Sequence, residues 1–203
     1  MTSGHGLTGE EELYLAATEG NESEVKRIFK DHPSQLNVNW RNEEDSGFTA
    51  LHRACQNDHG AIVSILLAHP HIDVNQKNKH GATPSFWACY KGFSSFSLLL
   101  QDSRVDLNEP NIDGHSPLRW AAYFGYLYLI EWWIASGREM DLGEPGNVKT
   151  DAIDAARRNR KTEVATLLER FSNDPAETRS RVRSGLGITG LCTPSPSHFT
   201  ICS

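Results

Sequence analysis

The residues that could do chemistry are few and scattered. Four cysteines, Cys55, Cys89, Cys192 and Cys202, form no C-x-x-C pair, and Cys55 and Cys89 lie 34 residues apart. A zinc site needs clustered Cys or His ligands at metal spacing, so these thiols read as small hydrophobes. His52 reads as a structural hydrogen-bonding residue, and His69-Pro70-His71 as a solvated loop without a ligand set. No nucleophile elbow, P-loop or H-E-x-x-H motif occurs, and the carboxylates lack the paired spacing of acid–base catalysis. The run Arg157 to Lys161, "RRNRK", reads as a solvated helix face. No enzyme, metal or cofactor is therefore expected.

Bulk properties narrow the choice further. The 203 residues carry a formal net charge of -6, and the isoelectric point is near 5.8. Nucleic-acid binding rests on a basic surface, so nucleic acid is not an expected partner. Charge is uneven: residues 1–48 hold four Lys/Arg against ten Asp/Glu, and residues 149–183 hold nine against six. The start, "MTSGHGLTGEEEL", lacks a basic flank and an apolar core, so no secretory signal is read. Free thiols in a reducing cytoplasm or nucleus are the expectation. The uncharged run from Trp120 to Ile130 falls far short of the roughly 20 residues that cross a bilayer, so no membrane association is expected.

The elements that must position any site emerge from repetition. At a period of about 33, four segments align: "GFTALHRACQNDHGAIVSILL", "GATPSFWACYKGFSSFSLLL", "GHSPLRWAAYFGYLYLIEWWI" and "VKTDAIDAARRNRKTEVATLL". Thr49, Thr83, Ser116 and Thr150 anchor them, followed by Ala54, Ala88, Ala121 and Ala155 at steps of 34, 33 and 34. An earlier segment, "LYLAATEGNESEVKRIFK", repeats the pattern from Ala16. Large apolar residues recur at +9, +12 and +13 from the alanine: Val25, Ile28, Phe29; Val63, Leu66, Leu67; Ile130, Trp133, Ile134; Val164, Leu167, Leu168. That spacing is one buried stripe of a second helix. In the third segment Phe96, Leu99 and Leu100 come one residue early, which reads as a deletion before its second helix. Asp73-Val74-Asn75 and Asp106-Leu107-Asn108 open hairpin-like connectors ending in glycine.

With "TALHRAC", "TPSFWAC" and "SPLRWAA" in register, the chain resembles the ankyrin repeat family. The resemblance covers about residues 11–171 and implies an all-α solenoid of stacked helix-turn-helix units, with repeats near 11–40, 44–76, 78–109, 111–143 and 147–171. Thr or Ser caps each first helix, and Pro84 and Pro117 follow at a position needing no N–H. Polar residues crowd the outer sides of the first and last segments, which read as caps. Residues 1–10 are expected to be flexible, 172–186 to form a short helix begun by Asp174 and stopped by Gly185, and 187–203 to be disordered. Thr193-Pro194 and Ser195-Pro196 resemble proline-directed phosphorylation sites.

The resemblance also implies a function: a non-catalytic module binding a protein or peptide on a concave face, as a monomeric adaptor or scaffold. Carried over by position, the hairpin-tip contacts would be Asp45, Ser46 and Phe48, then Lys79, His80 and Ala82, then Ile112, Asp113 and His115. The helix positions would be Gln56 and Asn57, Tyr90 and Lys91, Tyr123 and Phe124, and Arg157 and Arg158. An alternative is a substrate protein, because Asn75 and Asn108 resemble hairpin asparagines that are hydroxylated in some ankyrin proteins. Seven of eighteen aromatic residues lie between Arg119 and Trp133. The register assigns Trp120, Trp132 and Trp133 to the core, Tyr126 to a turn and Tyr128 to solvent. Tyr123 and Phe124 are left as the aromatics that packing does not require.

Overall fold

The computed structural model describes residues 6–32, 35–91 and 93–188. Cys192, Cys202 and both Thr/Ser-Pro pairs lie outside them. Eleven helices and no strand occur among the described residues, with one isolated antiparallel bridge between Asn42 and Phe48. The chain divides into two compact units, Met1–Asp113 and Gly114–Ser203.

The first unit holds three helix pairs: α1 (Gly9–Glu19) with α2 (Glu22–Asp31), α3 (Ala50–Gln56) with α4 (Gly60–Leu67), and α5 (Pro84–Lys91) with α6 (Phe93–Gln101). First helices pack in one row, α1 on α3 and α3 on α5, and second helices in another, α2 on α4 and α4 on α6. Small side chains allow this approach: Ala16, Ala17, Ala54, Cys55, Ala88 and Cys89 are all buried on the first-helix row. Val25, Ile28, Val63, Leu66, Phe96 and Leu99 supply the second-helix stripe. α6 begins five residues after Ala88, whereas α4 begins six after Ala54. The apolar stripe moves with it, so Phe96 and Leu99 are as buried as their counterparts.

Caps set the helix boundaries. Thr8 and Glu11 form a reciprocal capping box, which starts α1 at Gly9, inside the segment expected to be flexible. Thr49 accepts from the His52 N–H, and the His52 side chain turns back to the Thr49 N–H. The same imidazole reaches the next repeat, with Nε2 3.0 Å from the Ala82 carbonyl oxygen. Because Nδ1 accepts from the Thr49 amide, Nε2 carries the proton and donates to Ala82.

The connectors carry a second ladder. The side-chain amide of Asn39 donates to the His71 carbonyl (2.7 Å) and accepts from the Asp73 N–H (2.8 Å). Asn75 does the same one repeat later, donating to the Arg104 carbonyl (2.8 Å) and accepting from the Asp106 N–H (2.7 Å). Each asparagine sits in a turn closed by the residue two before it: Asn37 Oδ1 accepts from Asn39 N–H, Asp73 from Asn75, and Asp106 from Asn108.

The second unit pairs α7 (Pro117–Phe124) with α8 (Leu127–Ser136) and α9 (Ala152–Arg158) with α10 (Thr162–Asn173). α7 packs on α9 through buried Ala121, Ala122, Ala155 and Ala156. A further helix, α11 (Pro175–Gly185), starts at Asp174, whose side chain accepts from the Glu177 N–H. α11 lies on α8 and α10. Arg179 Nε and an Arg183 guanidinium nitrogen donate to the Ile134 and Ala135 carbonyls, each at 3.1 Å. These are carbonyls that the end of α8 cannot satisfy itself, and cations are favoured at a helix C-terminus.

Candidate functional site

The tip residues of the first unit form a main-chain ladder. Lys79 N–H donates to the Ser46 carbonyl (2.8 Å), and Ile112 N–H donates to the His80 carbonyl (3.0 Å). Lys79, His80, Ile112 and Asp113 are exposed, Ile112 by 72%. Lys79 is engaged with Glu43, through its carboxylate at 3.0 Å and its carbonyl at 2.6 Å. That ammonium holds the Glu43 carboxyl below its ordinary range.

Two tip expectations are corrected. Phe48 and Ala82 are buried, not exposed. Phe48 packs its ring 5.1 Å from Trp87, and the Arg53 guanidinium lies over the Phe48 ring, 4.3 Å from its centroid. The Asn42–Phe48 bridge turns the side chain inward, and the exposed residues of this loop are Glu43 and Glu44. Ala82 is covered because its carbonyl is the acceptor for buried His52.

On the helix positions of this unit, Gln56 is half-buried and accepts from Arg53. Asn57 is exposed and donates to the Thr18 carbonyl at 2.9 Å. Tyr90 is half-buried against Trp87, with ring centroids 5.7 Å apart, and the Lys91 ammonium lies 5.3 Å from the Tyr90 centroid.

The second unit holds an aromatic row. Trp120 stacks on Phe124 (5.7 Å, 20°) and Phe124 on Tyr126 (5.6 Å, 22°), while Tyr123 meets both Trp120 and Phe124 edge-on. His115 closes the other end, its ring 5.6 Å from Trp120. Tyr123 is 37% exposed, and Trp120, Phe124, Tyr126 and His115 are half-buried. Trp133 and Trp132 are buried, with Trp133 Nε1 donating to the Glu139 carbonyl at 3.1 Å.

Trp120 is thus not a core residue, which corrects the expectation from its register. The signal lay in the repeat column just before the alanine anchor, which reads Leu15, Arg53, Trp87, Trp120 and Asp154. A column that holds Arg and Asp is not a core column, and none of the five residues is fully buried.

Arg157 and Arg158 are exposed and paired, with Glu169 at 2.8 Å and Asp154 at 2.6 Å. The basic run thereby loses part of its field. Asn75 is braced through both amide atoms, and Asn108 is held by Asp106. Cys55 and Cys89 are fully buried free thiols, and burial raises both thiols well above their ordinary range. They are thiols and not thiolates, which makes them poor nucleophiles. Among the described residues no group of three or more His, Cys, Asp or Glu is arranged to hold a metal ion. No described helix is long and apolar enough to cross a membrane.

Paired antiparallel helices stacked in two rows and joined by hairpin-like connectors define an all-α repeat solenoid. Residues 3–78 match the family described as ankyrin repeats (3 copies), which shows ankyrin repeats in that part of the chain. It is similar to Rabankyrin-5 of Homo sapiens, 31% identical over 87 residues that make 43% of this chain and 7% of that protein. The Mus musculus Rabankyrin-5 is 31% identical over 81 residues, 40% of this chain and 6% of the relative. The SMC5-SMC6 complex localization factor protein 1 of Bos taurus is 35% identical over 101 residues, 44% of this chain and 9% of the relative. The chain therefore spans less than a tenth of each of these proteins. Ankyrin repeats are generally protein–protein interaction modules and generally not enzymes.

Proposed function

We propose that the chain is a non-catalytic adaptor or scaffold module that binds a protein or peptide, as a monomer, through the aromatic row of α7. The observation that supports this reading is the row itself. Trp120, Tyr123 and Phe124 of α7 and Tyr126 in the turn that follows stack against one another at the surface, and the buried face of α7 is already filled by Leu118, Ala121 and Ala122. Aromatic side chains fixed by their neighbours lose little freedom on binding, which is what a recognition hot spot requires. In the first unit, Tyr90 and Lys91 occupy the equivalent positions of their repeat, and Lys79, His80, Ile112 and Asp113 are exposed at its hairpin tips.

Affinity capture with the full chain tests the reading, comparing wild type with Tyr123→Ala/Phe124→Ala. The double variant is expected to lose the captured partner while keeping the wild-type helical signal. Recovery of the same partner in the same amount by both proteins overturns the assignment to α7.

A further inference from the structure

The first unit contains a second candidate recognition site that does not use the aromatic row. A pocket of about 360 Å³ opens between the start of α1 and the connector that precedes α3. Its wall is aromatic and apolar. Trp40 is half-buried and meets the Tyr14 ring edge-on at 5.9 Å and 75°, and Leu7 and Leu15 line the pocket while remaining 56% and 41% exposed. Tyr14 is held by its hydroxyl, which bonds Asp45 and accepts from Arg53 at 2.7 Å. The ring that Trp40 leans on is therefore fixed.

The rim is acidic, with Glu11, Glu43 and Glu44 against one cation, Arg41. Arg41 pairs with Glu43, its Nε 3.4 Å from that carboxylate, and its guanidinium lies beside Gly47, so it compensates one of the three carboxylates. Glu43 is further engaged by Lys79. Among the described residues neither Glu11 nor Glu44 has a cationic partner; Glu11 accepts only from the Thr8 N–H at 2.8 Å. Two uncompensated carboxylates thus flank a half-open indole face. The surrounding residues 1–48 reinforce that sign, with four Lys/Arg and ten Asp/Glu.

We propose that this pocket receives an arginine side chain from a basic peptide. A planar guanidinium stacks on an aromatic face and donates sideways to carboxylates, which an ammonium on a flexible stem does less well. The three methylenes of the stem would run along Leu7 and Leu15, covering apolar surface that the fold leaves open. A carboxylate-bearing segment is excluded by the rim charge, and a purely apolar one would leave Glu11 and Glu44 facing a dry contact.

The probe is a fluorescein-labelled hexapeptide of alternating Gly and Arg, compared with the same peptide carrying Lys or Glu in place of Arg. Binding to the full chain is read by polarisation, and the site by the Trp40 indole N–H resonance, assigned with Trp40→Phe. The Arg peptide is expected to bind and shift the Trp40 resonance, the Lys peptide to bind a few-fold more weakly, and the Glu peptide not to bind. Glu11→Gln/Glu44→Gln keeps the capping geometry and is expected to weaken the Arg peptide about tenfold. Trp40→Leu is expected to weaken it about fivefold. Glu19→Gln/Glu22→Gln removes the same two charges from elsewhere on the first helix pair and is expected to leave affinity within about twofold. The proposal is overturned if the two double variants weaken binding equally, if Lys and Arg peptides bind alike, or if the Trp40 resonance does not move.

Discussion

His52 and Ala82 are joined across two repeats by a buried hydrogen bond, the imidazole Nε2 lying 3.0 Å from the Ala82 carbonyl oxygen. The ring is fully buried, and burial, opposed by that bond, depresses its pKa to about 4. The unfolded chain holds the same group near 6.5. Between those values the unfolded state binds the extra proton, so stability is complete above about pH 6.5 and is lost as pH falls toward 4. Wild type is expected to lose about 2 kcal/mol between pH 7.5 and pH 5 through this group. Urea denaturation of wild type and His52→Asn at both values checks it: the variant is less stable at pH 7.5 but has the flatter dependence. Parallel curves would remove His52 as the cause.

Asn75 spans two connectors with one acceptor and one donor, and no other side chain of its size offers both in the same plane. Asn75→Ala leaves the Arg104 carbonyl and the Asp106 N–H without this partner and is expected to cost about 1–3 kcal/mol. Lys77→Ala breaks only the exposed pair with Glu109, which links the same loops, and is expected to cost less than about 1 kcal/mol. Chemical denaturation of both variants distinguishes a brace from a surface ornament.

Trp133 and Tyr128 are five positions apart on α8 and differ most in environment. Trp133 is fully buried and Tyr128 is 51% exposed. Trp133→Ala should destabilise by roughly 3–5 kcal/mol, and Tyr128→Ala by less than about 1 kcal/mol. Thermal and urea melts of the two variants give the comparison.

Gly143 and Gly146 both have left-handed backbone, with φ of 80° and 78°. A Cβ at Gly143 would fall 2.1 Å from the Thr150 carbonyl oxygen, whereas one at Gly146 would meet nothing within 4 Å. Gly146→Ala therefore carries only the backbone cost of about 1 kcal/mol. Gly143→Ala must in addition push the 143–151 loop off the start of α9, where Ala152 N–H donates to the Leu142 carbonyl at 3.0 Å. It is expected to lose more than twice as much stability, measured by urea denaturation.

Much of the fold was legible because repetition makes each residue testify several times. Thr49, Ser116 and Asp174 cap as their spacing predicts, since capping is decided within four residues of chain; at α9 the expected Thr150 is replaced by Asp151, which accepts from the Asp154 N–H. The early stripe of Phe96 and Leu99 revealed the shorter turn for the same local reason. The candidate site was less legible. Phe48 looked like a projecting tip, yet the bridge to Asn42 turns it under Arg53. Asn39 is less conspicuous in the chain than Asn75 because Asn37 stands where the later turns have Asp, although either side chain closes the turn.

The sequence alone determined the helix pairs, their register and the small residues that let them stack, because those depend on local capping and on a periodic apolar stripe. Only the tertiary structure decided which aromatics stay open: Trp133 and Trp120 are equally apolar on paper, but one meets the neighbouring helices and the other stacks on Phe124. It also decided that Arg179 and Arg183 satisfy the end of α8, and that Trp40 meets Tyr14 beneath an acidic rim. These are encounters between residues about 26 to 48 positions apart. They arise from docking of whole elements, and no local pattern in the chain encodes them.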